Sequence, residues 1–129
     1  MASKSDSLID AVLNEDGGHV ATLIEQGAPL EEEDHRGQTA LVLAAVTDQF
    51  TIAEQLIEAG ADPFAADDFG WTAGYAAQTS NLQRGSEFEA KQRVKALLEA
   101  RGFPFPSPDT DQVKEMVAEG KWPPQQAAR

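Results

Sequence analysis

The chain has 129 residues, enough for one domain of ordinary size, and its 41% apolar content permits a core although only 7% is aromatic. It contains no cysteine, which excludes disulfides and thiol chemistry and removes one route to a structural zinc site. Its net charge of −12 is unevenly spread: residues 1–83 hold 15 acids and 2 bases, whereas residues 84–129 hold 7 acids and 8 bases. An acidic body of this kind repels phosphates, so nucleic acid and anionic membranes are not expected partners, and a basic protein surface is its natural complement. The other reading of the acidity is that it only maintains solubility. The N-terminal MASKSDSLIDAV lacks an uninterrupted apolar stretch, and no run approaches the roughly 20 apolar residues that cross a bilayer, so the expected location is cytoplasmic.

In chain order, Ser5 or Asp6 is expected to cap a short helix with Leu8, Ile9, Val12 and Leu13 inward. Asn14–Gly18 reads as a turn, and Val20, Leu23 and Ile24 bring a second helix back as far as Gly27. Glu31, Glu32, Glu33 and Asp34 then form an acidic loop. They lack the alternating ligands, glycine hinge and distal glutamate of a calcium loop, so no metal is expected there. Thr39 caps the next helix, whose inner face is Leu41, Leu43, Ala44 and Ala45. Thr51-x-x-Glu54 reads as a capping box for its partner helix, with Ile52, Leu56 and Ile57 inward. Asp67–Thr72 opens a third unit, with a helix from Thr72 to about Asn81. Its second helix is delayed: Leu97-Leu98 align with Leu56-Ile57 after an insertion of about eight residues near 82–89, a longer loop or a longer helix. Ala90, Val94, Leu97 and Leu98 face inward, and Lys91, Arg93, Lys95 and Arg101 are expected on a solvated outer face. The alternating prolines of Phe103–Pro108 forbid a helix and favour an extended crossing that lays Phe103 and Phe105 over the end of the molecule. Asp109-x-x-Gln112 starts a last helix with Val113, Met116 and Val117 inward, ending at Gly120; Trp122 packs on it or binds elsewhere, and 125–129 reads as a disordered tail.

A fixed step runs through this series. Asp34, Gly37, Thr39, Ala40 and Ala44 recur as Asp67, Gly70, Thr72, Ala73 and Ala77; Leu41, Ala44, Leu56, Ile57, Glu58, Gly60 and Ala61 are anticipated by Leu8, Ala11, Leu23, Ile24, Glu25, Gly27 and Ala28. Twelve identities at one 33-residue offset, from Asp34 to Asp67, mark a turn plus two helices stacked as a solenoid. Gly37-Gln-Thr-Ala-Leu-Val-Leu-Ala-Ala45 resembles the Gly-x-Thr-Pro-Leu-His-x-Ala run of the ankyrin repeat, and Ile52–Asp62 resembles its second helix with the closing Gly-Ala-Asp. Ala40 and Ala73 stand where that family has proline, and Val42 and Tyr75 where it has histidine.

The resemblance implies an all-α ankyrin-repeat solenoid: an N-capping repeat over about 5–33, repeats over 34–66 and 67–102, and a proline-rich crossing with a capping helix over 103–124. Such proteins bind other proteins through projecting turns and the adjoining first helices. Mapped by position, the expected partner-binding residues are His35, Arg36, Gln38, Val46, Thr47, Asp68, Phe69, Trp71, Thr79 and Ser80. Phe69 and Trp71 flank a glycine on a projecting turn and read either as apolar anchors or, for Trp71, as a ring folded over Phe64. Glu31, Glu32, Glu33, Asp34, Asp62 and Asp67 would steer a basic partner.

No phosphate loop, HExxH, GxSxG or cysteine nucleophile is present, and the sequence offers neither His19 nor His35 a matching serine, aspartate or second histidine at catalytic spacing. Neither an enzyme nor a cofactor is expected. The function implied is a non-enzymatic protein–protein interaction module, monomeric when free. Its alternatives are an immunity- or antitoxin-type inhibitor occluding a basic toxin or nuclease, and an accessory subunit stabilising a larger protein.

Overall fold

The computed structural model describes residues 7–124. Seven helices are found among them: α1 (Leu8–Leu13), α2 (Gly17–Glu25), α3 (Ala40–Val46), α4 (Phe50–Glu58), α5 (Ala73–Thr79), α6 (Ser86–Ala100) and α7 (Thr110–Ala118). The described residues contain no strand, only an isolated antiparallel bridge between Ala66 and Thr72. The first six helices form antiparallel pairs in two layers. Helices α1, α3 and α5 pack side by side in one layer, and α2, α4 and α6 in the other. One continuous core runs between the layers. Phe50, Leu56, Ile57, Leu98, Val12, Val20 and Val94 are completely buried in it, each large side chain contributing about 1.5–3 kcal/mol.

The 33-residue step is a step in bonding as well as in sequence. Asp34 Oδ1 accepts the backbone N–H groups of Arg36 and Gln38 at 2.8 and 2.9 Å. Asp67 Oδ1 accepts those of Phe69 and Trp71 at 2.9 and 2.8 Å. Thr39 caps α3 by accepting from Val42 N–H, and Thr72 caps α5 by accepting from Tyr75 N–H. The turns are also tied to each other, because Asp68 N–H donates to Arg36 carbonyl oxygen at 2.9 Å. Gly37 (φ +76°) lies directly under Asp68, and any Cβ there would meet its carboxylate.

Several local expectations are corrected. The cap of α1 is Ser7, whose hydroxyl accepts from Asp10 N–H; Ser5 and Asp6 lie outside the described residues, as do 125–129. On this six-residue helix Leu8, Ala11 and Val12 are buried, while Leu13 is 61% exposed. Gly17, Gly18 and His19 belong to the first turn of α2, which Asp16 caps. The Thr51–Glu54 capping box does not form. Phe50, fully buried, already belongs to α4, so the helix begins before Thr51. Thr51 N–H donates instead to Glu87 and Glu54 pairs with Arg93.

The delayed helix uses both options left open for it: α5 stops at Thr79, residues 80–85 form a loop, and α6 is 15 residues long against 9 for α4. Its register is one residue later than expected. Ala61 N–H closes α4 on Leu56 carbonyl oxygen, and Phe103 N–H closes α6 on Leu98. These are equivalent helix ends with a left-handed glycine, Gly60 or Gly102, before the closing residue. Leu98 therefore matches Leu56, 42 residues on, and nine residues are inserted rather than eight.

Phe103 consequently occupies the position of Ala61 and fills the end of the stack. It stacks on Phe64 (5.8 Å between centroids) and contacts Phe105 at 5.3 Å and Trp122 at 5.8 Å. Trp122 packs here, its indole N–H donating to Phe64 carbonyl oxygen at 2.7 Å. Helix α7 opens with a complete capping box between Asp109 and Gln112 and buries Val113. Val117 is 53% exposed rather than inward. The start of α7 lies against the third turn, where a Cβ on Gly70 would meet Thr110 carbonyl oxygen.

Candidate functional site

The two bonded turns and the inner helices α3 and α5 enclose a groove of about 480 Å³. Arg36, Gln38, Asp67, Phe69 and Trp71 come from the turns; Ala45, Val46 and Asp48 from the end of α3; Ala76, Thr79, Ser80 and Asn81 from α5 and the segment after it. Each wall follows from a local rule. The aspartate at the head of each turn holds alternate residues, 36 and 38 or 69 and 71, with their N–H groups turned in to its carboxylate. The threonine caps then start both helices at the same depth. Val46 and Ala76 face the groove because the opposite sides of these short helices are buried against the core.

Seven of the expected contact residues meet in this groove: Arg36, Gln38, Val46, Phe69, Trp71, Thr79 and Ser80. Phe69 is 56% exposed. Trp71 is half-buried with its ring against Tyr75 at 5.1 Å, so the alternative of a ring folded over Phe64 is corrected: Tyr75 takes that place and Phe64 joins the aromatic end cluster. His35, Thr47 and Asp68 lie outside the groove. His35 is exposed on its turn, Thr47 closes α3 by donating to Leu43 and Ala44 carbonyl oxygens, and Asp68 flanks Gly37. Asp48, Asn81 and Tyr75 were not anticipated, since each owes its place to a helix end or a ring contact that a sequence pattern does not show.

Of the carboxylates expected to steer a partner, four are bonded to backbone. Glu31 accepts from Asp62 N–H at 2.8 Å, Asp62 from Phe64 N–H at 2.9 Å, and Asp34 and Asp67 hold the turns. Glu32 and Glu33 are exposed. Among the described residues no group of three or more His, Cys, Asp or Glu side chains is arranged to hold a metal ion, and no helix is long and apolar enough to cross a membrane.

The far rim of the groove is fixed by Lys91. The sequence places it on a solvated face, yet it is only 6% exposed and its ammonium donates to Leu82 and Ser80 carbonyl oxygens at 2.7 and 3.3 Å. Its ammonium lies over the Phe88 ring, 5.3 Å from the centroid. Burial, and then the neighbouring Lys95 charge, lower its pKa from 10.5, with Asp48 acting the other way. Ser80 Oγ in turn donates to Asp48 Oδ1 at 2.9 Å and accepts from Leu82 N–H. The inserted segment is thereby fastened to both α6 and the end of α3. Arg93, by contrast, is exposed as expected and forms a two-point pair with Glu54 at 2.8 and 3.1 Å; that hydrogen bond raises its pKa.

A two-layer stack of helix pairs with bonded turns defines the class, a helical-repeat solenoid. The ankyrin repeat model matches residues 36–68. The chain is 32% identical over 83 residues to mouse (Mus musculus) NF-kappa-B inhibitor delta, covering 64% of this chain and 25% of that protein. It is 35% identical over 82 residues to the Caenorhabditis elegans ankyrin repeat and LEM domain-containing protein 1 homolog, covering 64% and 10%, and 32% identical over 68 residues to human mitochondrial disaggregase, covering 53% and 10%. It thus spans a quarter or less of the curated relatives it matches. Residues 36–68 are an ankyrin repeat, and the all-α stack around them has the ankyrin-repeat fold.

Proposed function

We propose that this protein is a non-enzymatic protein–protein interaction module whose partner seats in the groove between the turns and helices α3 and α5. The observation that carries this reading is Phe69, a large aromatic left 56% exposed on a turn whose five backbone N–H groups, from Asp67 to Trp71, are all hydrogen-bonded, beside Trp71. Exposed aromatics on a preformed surface are the side chains that dominate interface energetics, because they lose little entropy on binding. The groove has carboxylates, an arginine and hydroxyls, but no histidine, cysteine or lysine lines it, and its Ser80 hydroxyl donates to the Asp48 carboxylate alone, which favours docking over chemistry. Affinity capture with the wild type and with a Phe69→Ala plus Trp71→Ala variant tests it. The variant should retain its helical spectrum and lose the captured protein, and equal capture by both would refute it.

A second reading, favoured by the acidity of residues 1–83, makes the partner's contact surface basic, as for an inhibitor that covers a toxin or nuclease. Association would then slow steeply as salt rises, while a salt-independent on-rate would remove this version.

A further inference from the structure

The two ends of the groove differ. The turns, where α3 and α5 start, carry the Phe69 and Trp71 rings, Arg36 and the Asp67 carboxylate, which is buried and taken up by two backbone N–H groups; beyond the last residues of α3 and α5, Val46 and Thr79, lie the Asp48 carboxylate, Ser80 and Asn81. Asp48 is held at this end in an unusual way. It sits at φ +62° in the turn after α3, a left-handed conformation that aspartate and asparagine tolerate better than most residues. Its Oδ1 accepts from Ser80 Oγ, on the segment that Lys91 fastens. Asp48 is exposed, and the Ser80 hydrogen bond anchors its carboxylate at the mouth of the groove. Lys91 is too engaged with two backbone carbonyls to be its direct partner.

We infer, taking the groove as the docking site, that it receives an extended segment of a partner protein carrying an arginine or lysine, whose apolar stem lies along Val46 and Trp71 and whose charged head reaches Asp48. Long basic side chains bury their methylenes on apolar surface while keeping the head at an anion, which matches the order of groups along this groove. At the turn end the Asp67 carboxylate is buried on two backbone N–H groups while Arg36 is exposed, so a cation is favoured at Asp48 and an apolar neighbour of the basic residue meets Phe69. The acidity of residues 1–83 favours the approach of such a segment.

Panning phage-displayed random heptapeptides on the full chain, followed by fluorescence anisotropy on one enriched peptide and on its counterpart with leucine in place of the basic residue, tests the inference. Enriched peptides should carry arginine or lysine beside an apolar residue. Asp48→Asn keeps the acceptor for Ser80 and tolerates the left-handed backbone; it should weaken the basic peptide about tenfold, the loss of one charge-assisted contact, and leave the leucine peptide unchanged. Enrichment without basic residues, or equal effects of Asp48→Asn on both peptides, would overturn the inference while leaving docking in the groove intact. Docking itself fails if Phe69→Ala plus Trp71→Ala leaves peptide binding unaltered, and a library that yields no binder counts against both.

Discussion

Gly74 leaves no room for a side chain: a Cβ would lie 2.2 Å from the ring of Phe103, which is itself buried by Phe64, Phe105 and Trp122. Gly74→Ala should therefore lower unfolding free energy by about 1–3 kcal/mol in urea titrations, the usual penalty for overpacking, and a second change of Phe103→Leu should recover part of it. Full tolerance of Gly74→Ala would show that the end cluster is looser than described. Asp67 is a similar test inside the groove. Its buried carboxylate serves two backbone N–H groups, so Asp67→Ala should destabilise by about 1–3 kcal/mol and Asp67→Asn by less, since the amide oxygen still accepts. Equal losses for alanine and asparagine would place the role of Asp67 in its charge rather than its acceptor.

At the scale of helices and loops, the insertion is held by a buried ammonium. Burial lowers the Lys91 pKa below 10.5, so between the lowered value and 10.5 the unfolded chain binds the proton better than the folded one. Below that window both states are charged and the penalty is fully present; within it stability rises with pH. Urea unfolding of the wild type and Lys91→Met from neutral pH toward 10.5 should show the wild type gaining relative to the variant, and a constant difference would contradict this. Legibility in the sequence also divides at this scale. The turns were legible because Asp34, Gly37 and Thr39 and their copies act on residues two to four positions away, so pattern and bonding coincide. Helix limits were less so. Thr51 and Glu54 have the right spacing for a capping box, but burial of Phe50 draws the helix start past them. Leu97-Leu98 imitates the earlier Leu56-Ile57 pair, yet the closing hydrogen bond from Phe103 selects Leu98 alone as the counterpart of Leu56. Lys91 looked solvated because its partners are carbonyls of a loop whose course no local pattern sets.

As a whole the molecule is a short stack whose inner helices and turns offer a rigid ledge and whose outer helices are bound into the core. Few repeats give limited intrinsic stability, so a partner that binds only the folded stack should raise its unfolding temperature in proportion to the logarithm of partner concentration. An unfolding temperature independent of partner concentration would mean that binding does not require the stack. Most of the candidate groove could be listed by mapping repeat positions, because the repeat returns Gln38 and Trp71 to equivalent places; its far rim could be listed only as Thr79 and Ser80, because Asp48 and Asn81 depend on where α3 and α5 stop. Hydrogen–deuterium exchange of the protein alone and in complex with its captured partner tests the central claim most directly. Docking in the groove predicts new protection confined to residues 36–48 and 67–81, with α2, α4 and the outer face of α6 unchanged. Protection concentrated on those outer helices, with the turns exchanging as in the free protein, would contradict it.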